Sequence, residues 1–352
     1  MNIVWFGLGL IVLVIIHEAG HMVVAKWCGM RVERFSVFMG RPIVSWTRGE
    51  TQYGVGWLPI GGYVKISGML RGEEIPPEHE HRAYYKAPVW KRIATILAGP
   101  AVNIVLAAIL FVVVFWLPGG PVKITDRVGA VTADSPALTA GLQEGDRLLS
   151  VNGVGEGDLN AARRELQARP GQTVTVRIDR DGNILTERVR LATVTTSGGD
   201  RIGQLGITFT GDPYGFSGGL SEGLQFTWTV VDANVSAIGQ LFTSSEAREQ
   251  VNSIVGVGAV YNEVADDGLV VIIRFFALVS LALGIFNLFP LLPLDGGHIV
   301  MAVLEKLRGK PVSREIYERA SFIGFALLLV LTVFIVNNDI SKIRGDGFGI
   351  DP

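Results

Sequence analysis

Ile11-Val12-Leu13-Val14-Ile15-Ile16-His17-Glu18-Ala19-Gly20-His21 sets two histidines and a glutamate at the end of an uncharged run that starts at Met1. On a helix, residues four apart share a face, so His17 and His21 can reach one zinc ion while Glu18 stands beside it as a general base. Ionisable side chains are costly inside a membrane span, so three of them in five residues mark a functional cluster. The competing reading ends the span at Ile16 and leaves the trio as a solvated helix terminus.

Three more uncharged runs follow, Ile93 to Val122, Phe275 to Leu294 and Ala320 to Asn338. Each approaches the ~20 residues a helix needs to cross a bilayer core. The 352 residues are 49% apolar and 18% charged, against about 25% charged in soluble domains. Together these predict an α-helical multi-pass membrane protein with four transmembrane helices. The first run lacks a basic start and ends on the histidines, so it reads as a retained span rather than a signal peptide. A net charge of -2 gives no reason to expect nucleic acid as a partner, and the single Cys28 excludes an intrachain disulfide or a cysteine-rich metal site.

Charge beside the spans predicts orientation. From Lys26 to Arg92, eleven Lys and Arg face six acids, and from Asp295 to Arg319 five face four. Both segments are therefore expected in the cytoplasm, with both termini outside and the chemistry towards the cytoplasmic side. The stretch from Pro118 to Gly268 carries nineteen acids against twelve bases and is expected on the outer side. The expected division is 1–117 (two spans and a β-rich cytoplasmic loop), 118–195 (an extracytoplasmic α+β domain), 196–268 (a linker with an amphipathic segment) and 269–352 (two spans).

Within the first loop, alternation at Gln52 to Trp57 and Tyr63 to Ile66 predicts short strands, and Arg71 to Arg82, with Pro76-Pro77, is expected to be mobile. In the outer domain, strands fit Gly129 to Val131, Arg147 to Val151, Val174 to Ile178 and Leu185 to Leu191, and a helix fits Leu159 to Ala168. Thr193 to Asp200 reads as a linker. Ser217 to Phe242 is mildly amphipathic and is expected along the lipid surface.

A catalytic zinc takes three protein ligands and keeps one position open. The best third ligand is Asp295, in Asn287-Leu288-Phe289-Pro290-Leu291-Leu292-Pro293-Leu294-Asp295-Gly296-Gly297-His298. At 1.5 Å per residue, His17 lies about 24 Å into its span, and Asp295, twenty residues beyond Phe275, about 30 Å into one running the same way. Pro290 and Pro293 should break that span, which is tolerated at such depth only where the backbone is buried in protein or lines a wet cavity. The helix broken at Pro290 and Pro293, next to the metal, is a place to hold an extended substrate backbone; Asn287 either hydrogen-bonds that backbone or caps the broken helix. His298 is a third imidazole nearby, with no role assigned.

At these residues the chain resembles the site-2 protease family of intramembrane zinc proteases, and within it the bacterial regulators of sigma-E protease, which carry extracytoplasmic PDZ domains. His17 to His21 and Asn287 to His298 match its pattern. So do Pro59-Ile60-Gly61-Gly62-Tyr63-Val64-Lys65, Pro88 to Arg92 and Ala98-Gly99-Pro100-Ala101-Val102-Asn103. The resemblance implies Zn2+ held by His17, His21 and Asp295, with Glu18 catalytic. It also implies a strand around Gly61 to Ser67, including Gly62, Tyr63, Val64 and Lys65, that pairs with unwound substrate. Implied substrates are single-pass membrane proteins such as anti-sigma factors already cut once outside, and remnant signal peptides, in a bacterial inner membrane. Ser135 to Ala137 and Ala140 to Gly153 resemble one inserted PDZ domain, which would bind a peptide or substrate segment at a sheet edge. A PDZ-containing serine protease is excluded, because no histidine lies between His81 and His298. The remaining alternative is a PDZ-bearing membrane adaptor without proteolytic activity.

Overall fold

The computed structural model describes residues 2–69, 72–196, 199–240, 254–264 and 267–344. It divides into two compact units, one of residues 1–117 and 218–352, the other Pro118–Ser217. Among the described residues the first unit carries four helices long and apolar enough to cross a membrane: α1 (Asn2–Trp27), α2 (Val89–Trp116), α7 (Leu269–Asn287) and α9 (Arg314–Arg344). In lipid, every backbone polar group must be satisfied within its own segment, and an uninterrupted helix does this.

α2 lies at the centre, against both α1 and α7. Ala107 and Phe111 of α2 pack with Ala277, Leu281 and Ile285 of α7, and a Cβ on Gly284 would lie 2.9 Å from the Pro100 carbonyl oxygen. The buried side chains of α1 include Phe6, Leu13, His17, His21 and Ala25, a stripe at helical spacing. The HExxH motif therefore sits inside the span on its inward face, and the solvated-terminus reading falls.

α7 stops at Asn287 and a new helix, α8 (Asp295–Arg308), starts at Asp295. Pro290 and Pro293 lie in the non-helical stretch between and are exposed; a proline has no amide donor and crowds the preceding turn. The helix begins at Leu269, not Phe275, and ends at Asn287, so the unbroken twenty-residue helical path expected for Asp295 gives way to a turn over its last seven residues, 288–294. That turn is packed tightly on the Asp295-Gly296-Gly297 start of α8: a Cβ on Gly296 would collide with the Leu288 carbonyl, and one on Gly297 with the Leu292 amide.

Between α1 and α2, the expected short strands are two long ones, β1 (Val32–Arg48) and β2 (Thr51–Ile66), in a bulged antiparallel hairpin. Phe35 is in register with both Val64 and Tyr53, and Val37 with both Gly62 and Val55. Residues 34–37 thus lie between 52–55 and 62–65. Gly61, at φ 59°, permits the change of direction that a side chain would resist. No further strand pairs with 62–65 among the described residues, so it is an edge. The stretch expected to be mobile forms short 3-10 turns over Pro77–Arg82 and Tyr84–Lys86, with Arg82 donating to both carboxylate oxygens of Glu50 at 2.6 Å. Residues 70 and 71 lie outside the described residues.

The second unit holds a five-stranded sheet in the order β6-β5-β4-β3-β9. Its strands are β3 (Val122–Val131), β4 (Arg147–Val151), β5 (Thr173–Arg180), β6 (Asn183–Arg190) and β9 (Ile207–Pro213). Helix α3 (Pro136–Thr139) and helix α4 (Leu159–Gln167) complete it, over a core of Leu142, Leu148, Val151, Leu166, Val176 and Ile178. The boundary expected at residue 195 moves to 217. Ile207 and Phe209 of β9 pack on that core, and β9 pairs with β3, so this part of the expected 196–268 linker belongs to the domain. The expected linker at Thr193 to Asp200 includes a strand, β7 (Ala192–Thr195), paired with β8 (Arg201–Gln204).

The expected amphipathic segment is α5 (Phe216–Gln240), with Leu241 and Phe242 outside the described residues. It packs on α2 through Phe226, whose ring meets Phe111 at 5.0 Å. Leu220, Leu224 and Trp228 remain exposed. α6 (Ile254–Val264) adds Tyr261 to an aromatic cluster with Phe6 and Phe275.

Candidate metal centre

His17 and His21, four apart on the buried stripe of α1, turn their Nε2 atoms towards each other at 3.3 Å. Asp295, the first residue of α8, brings Oδ2 to 3.2 Å from His17 Nε2 and 3.3 Å from His21 Nε2. Among the described residues these three form the one group with metal-ligand spacing. Oδ2 is buried and hydrogen-bonded to nothing, a poor arrangement for a carboxylate that has only protein around it. Zinc–ligand bonds of about 2.0–2.2 Å in tetrahedral geometry put neighbouring ligand atoms roughly 3.3–3.5 Å apart. The observed triangle fits three corners of that tetrahedron, and the donor set, two imidazoles and a carboxylate, suits zinc.

α2 holds both imidazoles from behind. His21 Nδ1 is 2.9 Å from the Thr95 carbonyl, and His17 Nδ1 is 3.4 Å from the Asn103 side-chain amide. A Cβ on Gly99 would collide with the His21 ring, and one on Gly20 would lie 2.6 Å from the Ala98 carbonyl oxygen. These two glycines let the helices approach closely enough for both contacts. The sequence alone gives Thr95 no part, and marks Gly99 and Asn103 only as members of a motif. The available signal is an amide side chain, Asn103, in a 30-residue uncharged run, where a polar group needs a reason to be present.

Glu18, half-buried, faces the β2 edge. A Cβ on Gly62 would lie 3.1 Å from Glu18 Cγ, and the Val64 backbone lies close to the Glu18 carboxylate. Gly62 and Val64 are thus brought to Glu18. Tyr63 is engaged elsewhere, its hydroxyl accepting from Arg34 at 3.0 Å. Lys65 bridges Glu33 at 2.7 Å and Glu73 at 2.6 Å, so its ammonium ties the loop together. Asn287 donates to the Leu283 carbonyl one turn back at 3.0 Å.

His298, one turn beyond Asp295, is not in the metal cluster. Burial lowers the basicity of its imidazole, and its Nδ1 is paired with the Tyr317 hydroxyl. The pair borders a cavity of about 110 Å³ that Tyr84, Arg92 and Glu305 also line. There Arg92 and Glu305 form a largely buried ion pair at 2.7 Å.

Spanning helices with this triangle and a glutamate beside it define a membrane metalloprotease. Residues 5–331 match Peptidase family M50, and the chain belongs to that family, the site-2 proteases. A Rhizobium meliloti protein named as a putative zinc metalloprotease is 35% identical over 96% of this chain and 95% of its own length. Zinc metalloprotease Rip1 of Mycolicibacterium smegmatis is 32% identical over 88% of this chain and 86% of its own. Zinc metalloprotease RasP of Geobacillus kaustophilus is 28% identical over 94% and 95%. This chain is accordingly a zinc metalloprotease in a membrane, and the non-enzymatic adaptor reading is set aside.

Proposed function

We propose that the chain hydrolyses peptide bonds of single-pass membrane proteins within or beside their spanning segments, with His17, His21 and Asp295 as zinc ligands and Glu18 as general base. The observation that carries this is the 3.2–3.3 Å donor triangle with Glu18 against a free strand edge. Bound zinc supplies Lewis acidity to the scissile carbonyl and acidifies water. Glu18 takes the proton of the attacking water and delivers it to the leaving amine nitrogen. Residues 62–65 add an extended substrate segment to the sheet edge through backbone hydrogen bonds, which requires the substrate helix to unwind. Gly61 and Gly62 keep that edge free of side chains that would obstruct the approach.

Anti-sigma factors trimmed by an earlier cut and remnant signal peptides are the proposed substrates, on the strength of the motif resemblance. Basic residues around β1 and β2 and around α8 support a cytoplasmic position for the site, with the second unit and both termini outside. That unit is proposed to be a PDZ domain: β9 is an outer strand of its sheet, where a peptide strand can add.

Glu18→Gln tests the central reading. It keeps all three ligands and removes the proton acceptor, so the purified variant should hold one zinc per chain and lose cleavage of a reconstituted membrane substrate. Substantial remaining cleavage would remove Glu18 from the mechanism.

A further inference from the structure

Each imidazole of the triangle has a second ring nitrogen turned towards α2. His21 Nδ1 faces the Thr95 carbonyl at 2.9 Å. A carbonyl only accepts, so that nitrogen carries the proton and Nε2 keeps its lone pair for the metal. A zinc-bound His17 needs the same arrangement, with the proton on Nδ1 and an acceptor to receive it. The polar group there is the Asn103 side chain, whose Nδ2 is 3.4 Å from His17 Nδ1. Asn103 is fully buried, and its Oδ1 has no partner.

Two N–H groups facing each other would repel. Turning the amide end by half a turn exchanges oxygen and nitrogen without changing the shape of the side chain. The oxygen then receives the Nδ1 proton, and the unpartnered end of the amide becomes a donor instead of an acceptor. The metal-bound tautomer of His17 decides between the two orientations. The backbone at this turn of α2 is fixed independently, because the buried Ser280 of α7 donates to the Asn103 carbonyl at 2.9 Å. Asn103 therefore cannot drift from the ring without parting α2 from α7.

We propose that Asn103 is a positioning residue whose Oδ1 accepts from His17 Nδ1–H, fixing the tautomer and the ring plane that aim Nε2 at the zinc. The inference rests on His17 being a zinc ligand, as proposed above.

The test is zinc retention by the full-length protein in detergent, titrated against a competing chelator. Asn103→Leu has similar bulk and no acceptor, and should lower zinc affinity roughly 10–100-fold, the usual effect of losing such a partner. Asn103→Asp keeps an acceptor at the same reach and should stay near the parent value. Asn103→Ala removes the acceptor without adding bulk, and gives the same reading if the leucine variant fails to accumulate. Parent-like zinc retention in the leucine or alanine variant, or equal losses in the aspartate and leucine variants, would overturn the assignment. His17→Ala serves as the separate control: if it keeps zinc like the parent, the ligand reading fails, whatever Asn103 does.

Discussion

Gly20 is a position where a single added methyl group would disturb the candidate metal centre by forcing α1 and α2 apart. A Cβ at this position would lie 2.6 Å from the Ala98 carbonyl oxygen and 3.0 Å from Val102 Cγ1. Ordinary contact begins at 3.4 Å, so Gly20→Ala requires α1 and α2 to separate by about 0.8 Å, the difference between 3.4 and 2.6 Å. The His21–Thr95 contact crosses the same interface at 2.9 Å. Adding about 0.8 Å takes it to roughly 3.7 Å, beyond hydrogen-bonding reach. Overpacking of this kind costs about 1–3 kcal/mol, and a ligand histidine released from its partner loses about 10–100-fold in metal affinity. Gly7→Ala is the matched control, since a Cβ there meets nothing within 4 Å. Zinc per chain, measured by mass spectrometry on detergent-purified protein, should fall clearly below one for Gly20→Ala and stay at one for Gly7→Ala. Cleavage should fall with it. One firmly held zinc in Gly20→Ala would refute the close-approach argument.

Three further expectations follow from the fold. With Cys28 replaced, a cysteine at Asp181 should react with an impermeant thiol reagent added outside the cell and one at Glu74 should not; the reverse pattern overturns the orientation. Replacing the whole 118–217 unit with a flexible linker should leave zinc binding intact, because all three proposed ligands lie in the other unit, and should admit substrates that have not been trimmed. If that variant cannot cut even trimmed substrates, the unit delivers them instead of filtering them. Within it, burial pushes the Asp146 carboxyl up, but Arg180 at 2.7 Å and the Gln143 amide at 2.8 Å outweigh this and hold it below its ordinary 3.8. The pair therefore stabilises the unit above about pH 3.8 and loses its effect as pH falls below that value. Arg180→Ala should cost about 1–3 kcal/mol at pH 7 by stranding a buried carboxylate, with the deficit shrinking towards pH 3. Hydrogen exchange of the 118–217 amides, corrected for intrinsic rates, measures both.

Some of this protein is determined by local sequence. Four long uncharged runs can satisfy their backbone in lipid only as helices, so the spans are legible from composition. The four-residue interval between His17 and His21 fixes a shared face whatever the packing. Pro290 and Pro293 mark the end of α7, because a proline removes a backbone donor wherever it stands. What requires the tertiary structure is every relation between distant segments. Asp295 completes the triangle through a glycine-packed turn, not by helical depth along one unbroken span. The long β1–β2 hairpin, with 34–37 paired on both sides, cannot be seen in short alternating windows. β9 reads as linker in the sequence because one short Ile-x-Phe alternation is a weak signal until β3 offers it a partner. Asn103 and Thr95 lie more than 70 residues from the histidines they face. Contacts at that separation depend on how α1 and α2 pack, and that distance of approach is set by glycines whose missing side chains show their effect only once the helices are placed together.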